Sequence, residues 1–279
     1  MKKVLKAFYM TFGMFCAIPL PKFFWDESCA DLMMPCFPVV GLIIGAVWWG
    51  AAELLAYISI HVMLAAAALT VITLFAAGLI HLDGFMDTCD AVLSRRPLED
   101  KVRILKDSHT GSFAVIMLVG LFVVQFASIF TLLDARGVLT AANGSLMGAR
   151  SALAAANGSL LDTHGSFAPL LLLPVVSRCC SAISMMCLKP APHSGYANMF
   201  RKKTGGFRIA FVCVLAAFAV GAMYLLVGWG GVIAAAAELV GYALTIAGMC
   251  RTFKGVSGDL AGFSLVVGEL CGIIALAVV

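Results

Sequence analysis

Three aspartates in "HLDGFMDTCDAVLS", residues 81–94, stand four and three positions apart: Asp83, Asp87 and Asp90. At about 100° per residue, a helix places Asp87 and Asp90 within roughly 40° of Asp83, and Ser94 falls on the same stripe. Phe85, Met86, Val92 and Leu93 surround that stripe with apolar surface, which an ordinary solvated helix face does not require. Carboxylates this close repel one another unless a cation or a guanidinium neutralises them. Donor sets made only of oxygen, without thiolates, favour magnesium or manganese, and magnesium commonly takes substrate phosphates as well. The chemistry expected of the stripe is therefore phosphate chemistry, with a divalent ion offsetting charge on a leaving phosphate. The three acids span about 10 Å along the axis, too far for one ion on a straight helix, so adjacent pairs are the expected holders. Asp107, beyond the break at Pro97, either completes this group from a neighbouring element or is an ordinary helix-terminal residue.

A phosphate ester also needs cations. Arg95, Arg96, Lys101, Arg103 and Lys106 follow the acids directly. A second basic group, Arg201, Lys202 and Lys203 in "FRKKTGGF", precedes Gly205 and Gly206, where backbone N–H groups can approach an anion. Arg178 differs because it lies in the middle of an apolar run, "PVVSRCC". A guanidinium there needs a partner, which Glu53, Glu238, Glu269 or a bound phosphate would supply. Asp259, in "KGVSGDLAGF", either caps the last helix or contacts substrate. His81, His109 and His193 are weaker candidates for a general base.

The elements that position these residues belong to a membrane. Of 279 residues, 62% are hydrophobic and 12% charged, with a mean hydropathy of +1.02. Soluble domains carry about 25% charged residues, so lipid is the expected solvent and a soluble fold is excluded. A spanning helix needs about 20 apolar residues. Seven segments qualify: 38–58, 61–80, 113–133, 168–188, 208–228, 231–250 and 259–279. The predicted fold is all-α, a polytopic helix bundle forming a single integral-membrane domain over residues 1–279. Residues 1–37 begin with a basic, amphipathic stretch that reads as an interfacial helix rather than a cleavable signal peptide, because Pro19 and Pro21 stand where small residues would be cut.

Lysine and arginine set the orientation. With the N-terminus inside, the cytoplasmic segments hold sixteen of them, and the one long outer loop, 134–167, holds two, Arg136 and Arg150. This bias puts the acidic segment 81–112 on the cytoplasmic side. The outer loop repeats "ANGSL" at 142–146 and 156–160, lacks a charge cluster and reads as architectural. Ten cysteines are scattered through apolar runs without metal-ligand spacing, so they are expected to be small buried thiols. The bilayer is the one partner that composition demands; nothing in it calls for nucleic acid, and an oligomer is compatible with it.

The segment "HLDGFMDTCDAVLSRRPLEDKVRILKDSHTGSFAV" resembles the signature of the cobalamin synthase family, the adenosylcobinamide-GDP ribazoletransferases. That pattern reads approximately H-x-D-G-x-x-D-x-x-D-G, then a basic helix and K-D-S-x-x-G-x-F-G. The resemblance extends through "IPLP" at 18–21, "FPVVGLIIG" at 37–45, "SGYANMFRKKTGG" at 194–206 and "KGVSGDLAGFSLVVGEL" at 254–270. Two glycines of the pattern are replaced, by Ala91 and Ala114, which puts the local backbone rather than any ligand in question. The resemblance implies that a hydroxyl of α-ribazole or its 5′-phosphate attacks the cobinamide-bound phosphorus of adenosylcobinamide-GDP and releases GMP. It further implies Mg²⁺ on Asp83, Asp87, Asp90 and Asp107, proton abstraction by one carboxylate, and substrate contacts from Lys106, Arg178 and Asp259. It implies a place in a bacterial inner membrane, with the site on the cytoplasmic side. The competing readings are a CDP-alcohol phosphotransferase, whose D-x-x-D-G-x-x-A-R order is lacking here, and a cation transporter, which would string acids through several spans at midplane.

Overall fold

In the computed structural model, residues 2–21, 24–77, 79–135, 167–192, 194–202 and 205–279 are described. Among them the chain is helical, with an isolated bridge between Pro190 and Val256 and no strand. A first helix α1 (Lys2–Phe15) and a 3-10 turn (Glu27–Leu32) lead into α2 (Met33–Tyr57), α3 (Val62–Ala76), α4 (Ile80–Leu93) and α5 (Leu98–Ile104). Then follow α6 (Ser112–Ala135), α7 (Pro169–Cys187), α8 (Gly195–Lys202), α9 (Gly206–Val227), α10 (Trp229–Phe253) and α11 (Gly258–Val278). The expected all-α bundle is what forms.

Among the described residues, six helical stretches are long and apolar enough to cross a membrane: Glu27–Tyr57, α6, α7, α9, α10 and α11. The seventh expected span is not one straight helix but part of a bent pair, Val62–Ala76 with Ile80–Leu93. Hydropathy runs from residue 61 to 80, but the helix stops at Ala76 and the chain turns through 91° into α4. Ala77 closes α3 by donating its N–H to Thr73, and Leu79 sits at φ 21°, a conformation that no helix continues through. The acid-bearing helix is thus the second arm of a broken pair. Most of the outer loop, residues 136–166, lies outside the described residues.

The core is built around α7, which is buried along nearly its whole length and packs against α2, α9, α10 and α11. Small residues allow these close approaches: a Cβ at Gly41 or Gly45 of α2 would run into the backbone of Pro174 or Leu171. The outer faces of α9 and α10 carry exposed Phe218, Leu225 and Leu244, the side chains that lipid solvates. The expected N-terminal helix forms, burying Ala7, Met10 and Thr11, while Lys6 pairs with Asp26 at 3.0 Å. All ten cysteines are free, and six of them are buried.

Candidate active site

The site begins at a glycine. A Cβ added to Gly84 would lie 2.9 Å from the Cα of Asp259 and 3.0 Å from its carbonyl oxygen. One turn along α11, a Cβ at Gly262 would lie 3.3 Å from the Cα of His81. α4 and the start of α11 therefore cross with backbones nearly touching, and Asp259 is carried onto the acid helix. The charges of Asp83, Asp259 and Asp90 all act on Asp87. Asp83 is exposed and Asp87 half-buried, and neither side chain has a hydrogen-bond or ion-pair partner among the described residues. Because the neighbours of Gly84 are backbone atoms that cannot rotate aside, Gly84→Ala must push α11 away. The expected result is at least about a tenfold fall in turnover with a stability loss of about 1–3 kcal/mol, read by activity and thermal unfolding in detergent.

Asp90 has a different occupation. It is buried, and both carboxylate oxygens accept backbone N–H groups at the start of α6: Oδ2 from Gly111 at 2.7 Å and Oδ1 from Ala114 at 3.0 Å. Those are donors that a helix N-terminus leaves unpaired, so Asp90 caps α6 from another helix. Ala114, one of the two departures from the family pattern, serves as such a donor, and Ala91 fits with no exposed surface; neither alanine distorts its helix.

Asp107 is not gathered with the others. It accepts from the backbone N–H of His109 at 3.0 Å and meets the His109 ring at 2.7 Å, contacts that hold its carboxyl below the ordinary range. The charges that act on it are those of His109 and Arg103, not of the α4 acids. Arg95, Arg96 and Lys106 are exposed beside α4 and α5, free to meet an anion arriving from water. Arg95 closes α4 in the left-handed conformation at φ 54°, which turns the chain toward Pro97. Of the second basic group, Lys203 and the side chain of Lys202 lie outside the described residues, as does His193.

Arg178 is wholly buried and bonds Glu269, with Ser177 joining both: its hydroxyl accepts from Nη1 at 2.9 Å and lies 2.7 Å from Glu269 Oε1. Of the partners the sequence offered, Glu269 is the one realised. With no exposed surface, the guanidinium ties α7 to α11 through Glu269. Asp259 is likewise freed of its alternative, because Ser257 caps α11 by accepting the N–H of Leu260.

As a cation site, the donor chemistry fits magnesium: Asp83 and Asp87 offer carboxylate oxygens without a hydrogen-bond or ion-pair partner among the described residues, Asp259 adds a third carboxylate, and there is no sulfur. Yet no three His, Cys, Asp or Glu side chains among the described residues close around a point where an ion would sit. The face is an open one. Sequence reasoning missed Gly84 as the hinge of the site and the capping role of Asp90; a glycine one residue after the first acid was the available signal.

The sequence profile of the cobalamin-5-phosphate synthase family matches residues 7–277. A Clostridium botulinum (strain Alaska E43 / Type E3) protein described as adenosylcobinamide-GDP ribazoletransferase is 34% identical over 280 residues, covering 98% of this chain and 97% of its own length. One of the same description from Clostridium perfringens (strain ATCC 13124) is 33% identical over 287 residues, with both chains fully covered. Another from Lachnoclostridium phytofermentans is 26% identical over 290 residues, covering 99% of this chain and 95% of its own. No solved structure matches. With the acid motif, the helical bundle and a match over almost every residue in agreement, the chain belongs to the cobalamin-5-phosphate synthase family.

Proposed function

We propose that this chain joins adenosylcobinamide-GDP to α-ribazole or its 5′-phosphate at the cytoplasmic face of a bacterial inner membrane. The observation that carries the reading is the acid face of α4, completed by Asp259 across the Gly84 contact. The acceptor hydroxyl attacks the phosphorus attached to cobinamide, the bond to the GMP oxygen breaks, and GMP leaves with the electron pair. A carboxylate of the α4 face, Asp83 or Asp87, takes the hydroxyl proton. Arg95, Arg96 and Lys106 draw the anionic donor toward the acids and hold its phosphates, with Lys202 and Lys203 assigned the same task. Asp83, Asp87 and Asp259 would hold Mg²⁺, which supplies positive charge against the phosphate oxygens as the nucleotide departs. Asp90 holds the start of α6 in register behind them. The cytoplasmic placement rests on the sixteen basic residues assigned to that side.

The deciding experiment incubates purified protein with both substrates and Mg²⁺ and measures GMP and the joined corrinoid. Equal amounts of the two are expected, and chelation of the ion should stop both. A lipid-linked product formed from CDP-diacylglycerol instead would replace this reading with that of a CDP-alcohol phosphotransferase.

A further inference from the structure

Next to the acids lies a cavity of about 150 Å³ that the catalytic scheme leaves unused. One wall is aromatic. The rings of Phe15 and His81 stack at 5.6 Å with 6° between their planes. Phe37 stands against both, 4.5 Å from Phe15 and 5.7 Å from His81. Met34 and Met185 line it with soft, adaptable side chains. At its edge are Gly258 and Asp259, so the cavity shares a residue with the acid face. Polar groups are few, and one of them stands out. His81 is buried, and its Nε2 has no hydrogen-bond partner among the described residues.

We propose that this cavity seats the flat aromatic base of the acceptor nucleoside, with its ribose directed toward Asp259. The inference rests on reading the chain as a ribazole transferase. An engineered apolar cavity of about the same volume encloses benzene, so one ring fits inside and a fused second ring reaches the opening. Bases stack on aromatic side chains largely through their π-faces, which the Phe15–His81–Phe37 wall provides. The polar inventory separates the candidates. The benzimidazole base of ribazole has one free ring nitrogen, an acceptor, and the unpartnered Nε2 of His81 can donate to it in the tautomer protonated there. Guanine, on the donor, carries several donors and acceptors along its edge, and most would be buried unmatched in so apolar a lining. The cavity therefore suits the acceptor's base and not the donor's.

The test uses the whole protein in detergent or nanodiscs. Free 5,6-dimethylbenzimidazole should compete with α-ribazole, raising its apparent KM without lowering kcat, and should not compete with adenosylcobinamide-GDP. Ser181 lines the cavity, is buried, and has no part in the acid face. Ser181→Leu fills the space and should raise the acceptor KM by about 10- to 100-fold, the value of one buried ring, while the donor KM stays within about twofold. Normal transfer with an unchanged acceptor KM, and no competition by the free base, would overturn the pocket and leave the transferase reading intact. Binding of the fluorescent free base, lost in Ser181→Leu, in a protein that makes no GMP would do the reverse. Should Ser181→Leu fail to fold, competition in the unaltered protein decides alone. Inhibition by a free fatty acid with none by the base would assign the cavity to a lipid tail and sink the proposal.

Discussion

Asp87→Asn should reduce GMP release at least about a hundredfold, roughly 3 kcal/mol of lost transition-state stabilisation, while the protein inserts and unfolds as before. The substitution keeps shape and removes charge. In the folded chain Asp87 is half-buried and repelled by Asp83, Asp259 and Asp90, so neutralising it relieves strain instead of adding any. A midpoint of unfolding that holds or rises, together with lost turnover, is the pattern of a group kept for chemistry at the expense of stability. Asp83→Asn should behave alike. Asp90→Asn supplies the contrast. An amide cannot accept both the Gly111 and Ala114 N–H groups, so its expected signature is a lower midpoint, about 1–3 kcal/mol, with activity falling as α6 shifts. Full activity in Asp83→Asn or Asp87→Asn would refute the catalytic role assigned to the α4 face.

That contrast marks what the sequence could and could not tell. Period and spacing place Asp83, Asp87 and Asp90 on one side of one helix, and the structure keeps them there. Periodicity does not say which backbone arrives opposite each acid, so the capping of α6 by Asp90, twenty-one and twenty-four residues away, was illegible. Five spans were legible to within a few residues, because each long apolar run does one thing; the first, expected from residue 38, starts earlier, its α-helix at Met33, because Pro38 is accommodated inside it. The run at 61–80 does two: hydropathy averages composition and carries no record of the axis turning after Ala76. Asp259 was readable only as a candidate, since its nearness to Asp87 depends on Gly84 meeting the backbone of Asp259 and Gly262 meeting that of His81.

Arg178→Met is the second large effect expected, and here the loss is structural. The guanidinium has no exposed surface, bonds Glu269 and Ser177, and exerts its charge on Glu238, a wholly buried carboxyl on α10. Removing one partner of a buried pair leaves the other charge uncompensated and costs about 3–5 kcal/mol. Glu269 lies ten residues past Asp259 on α11, so its tether to α7 also fixes where the fourth acid stands. Arg178→Met should therefore cut the yield of folded protein in detergent and lower the midpoint of unfolding. Adding Glu269→Gln to Arg178→Met should restore part of the stability, since a neutral pair is better tolerated than a lone charge; a double variant no better than the single one would show that the pair is not coupled.

The short third helix has a consequence for the bilayer itself. Fifteen residues rise about 22 Å, against roughly 30 Å of hydrocarbon. For the basic residues flanking the acids to share a compartment with the N-terminus, this arm must still carry the chain from one leaflet to the other. The accommodation open to so brief a segment is local thinning, with lipid tails compressed around it. A dimple of that kind would let water-soluble substrates reach below the general level of the headgroups, to the foot of the turn where the acids begin.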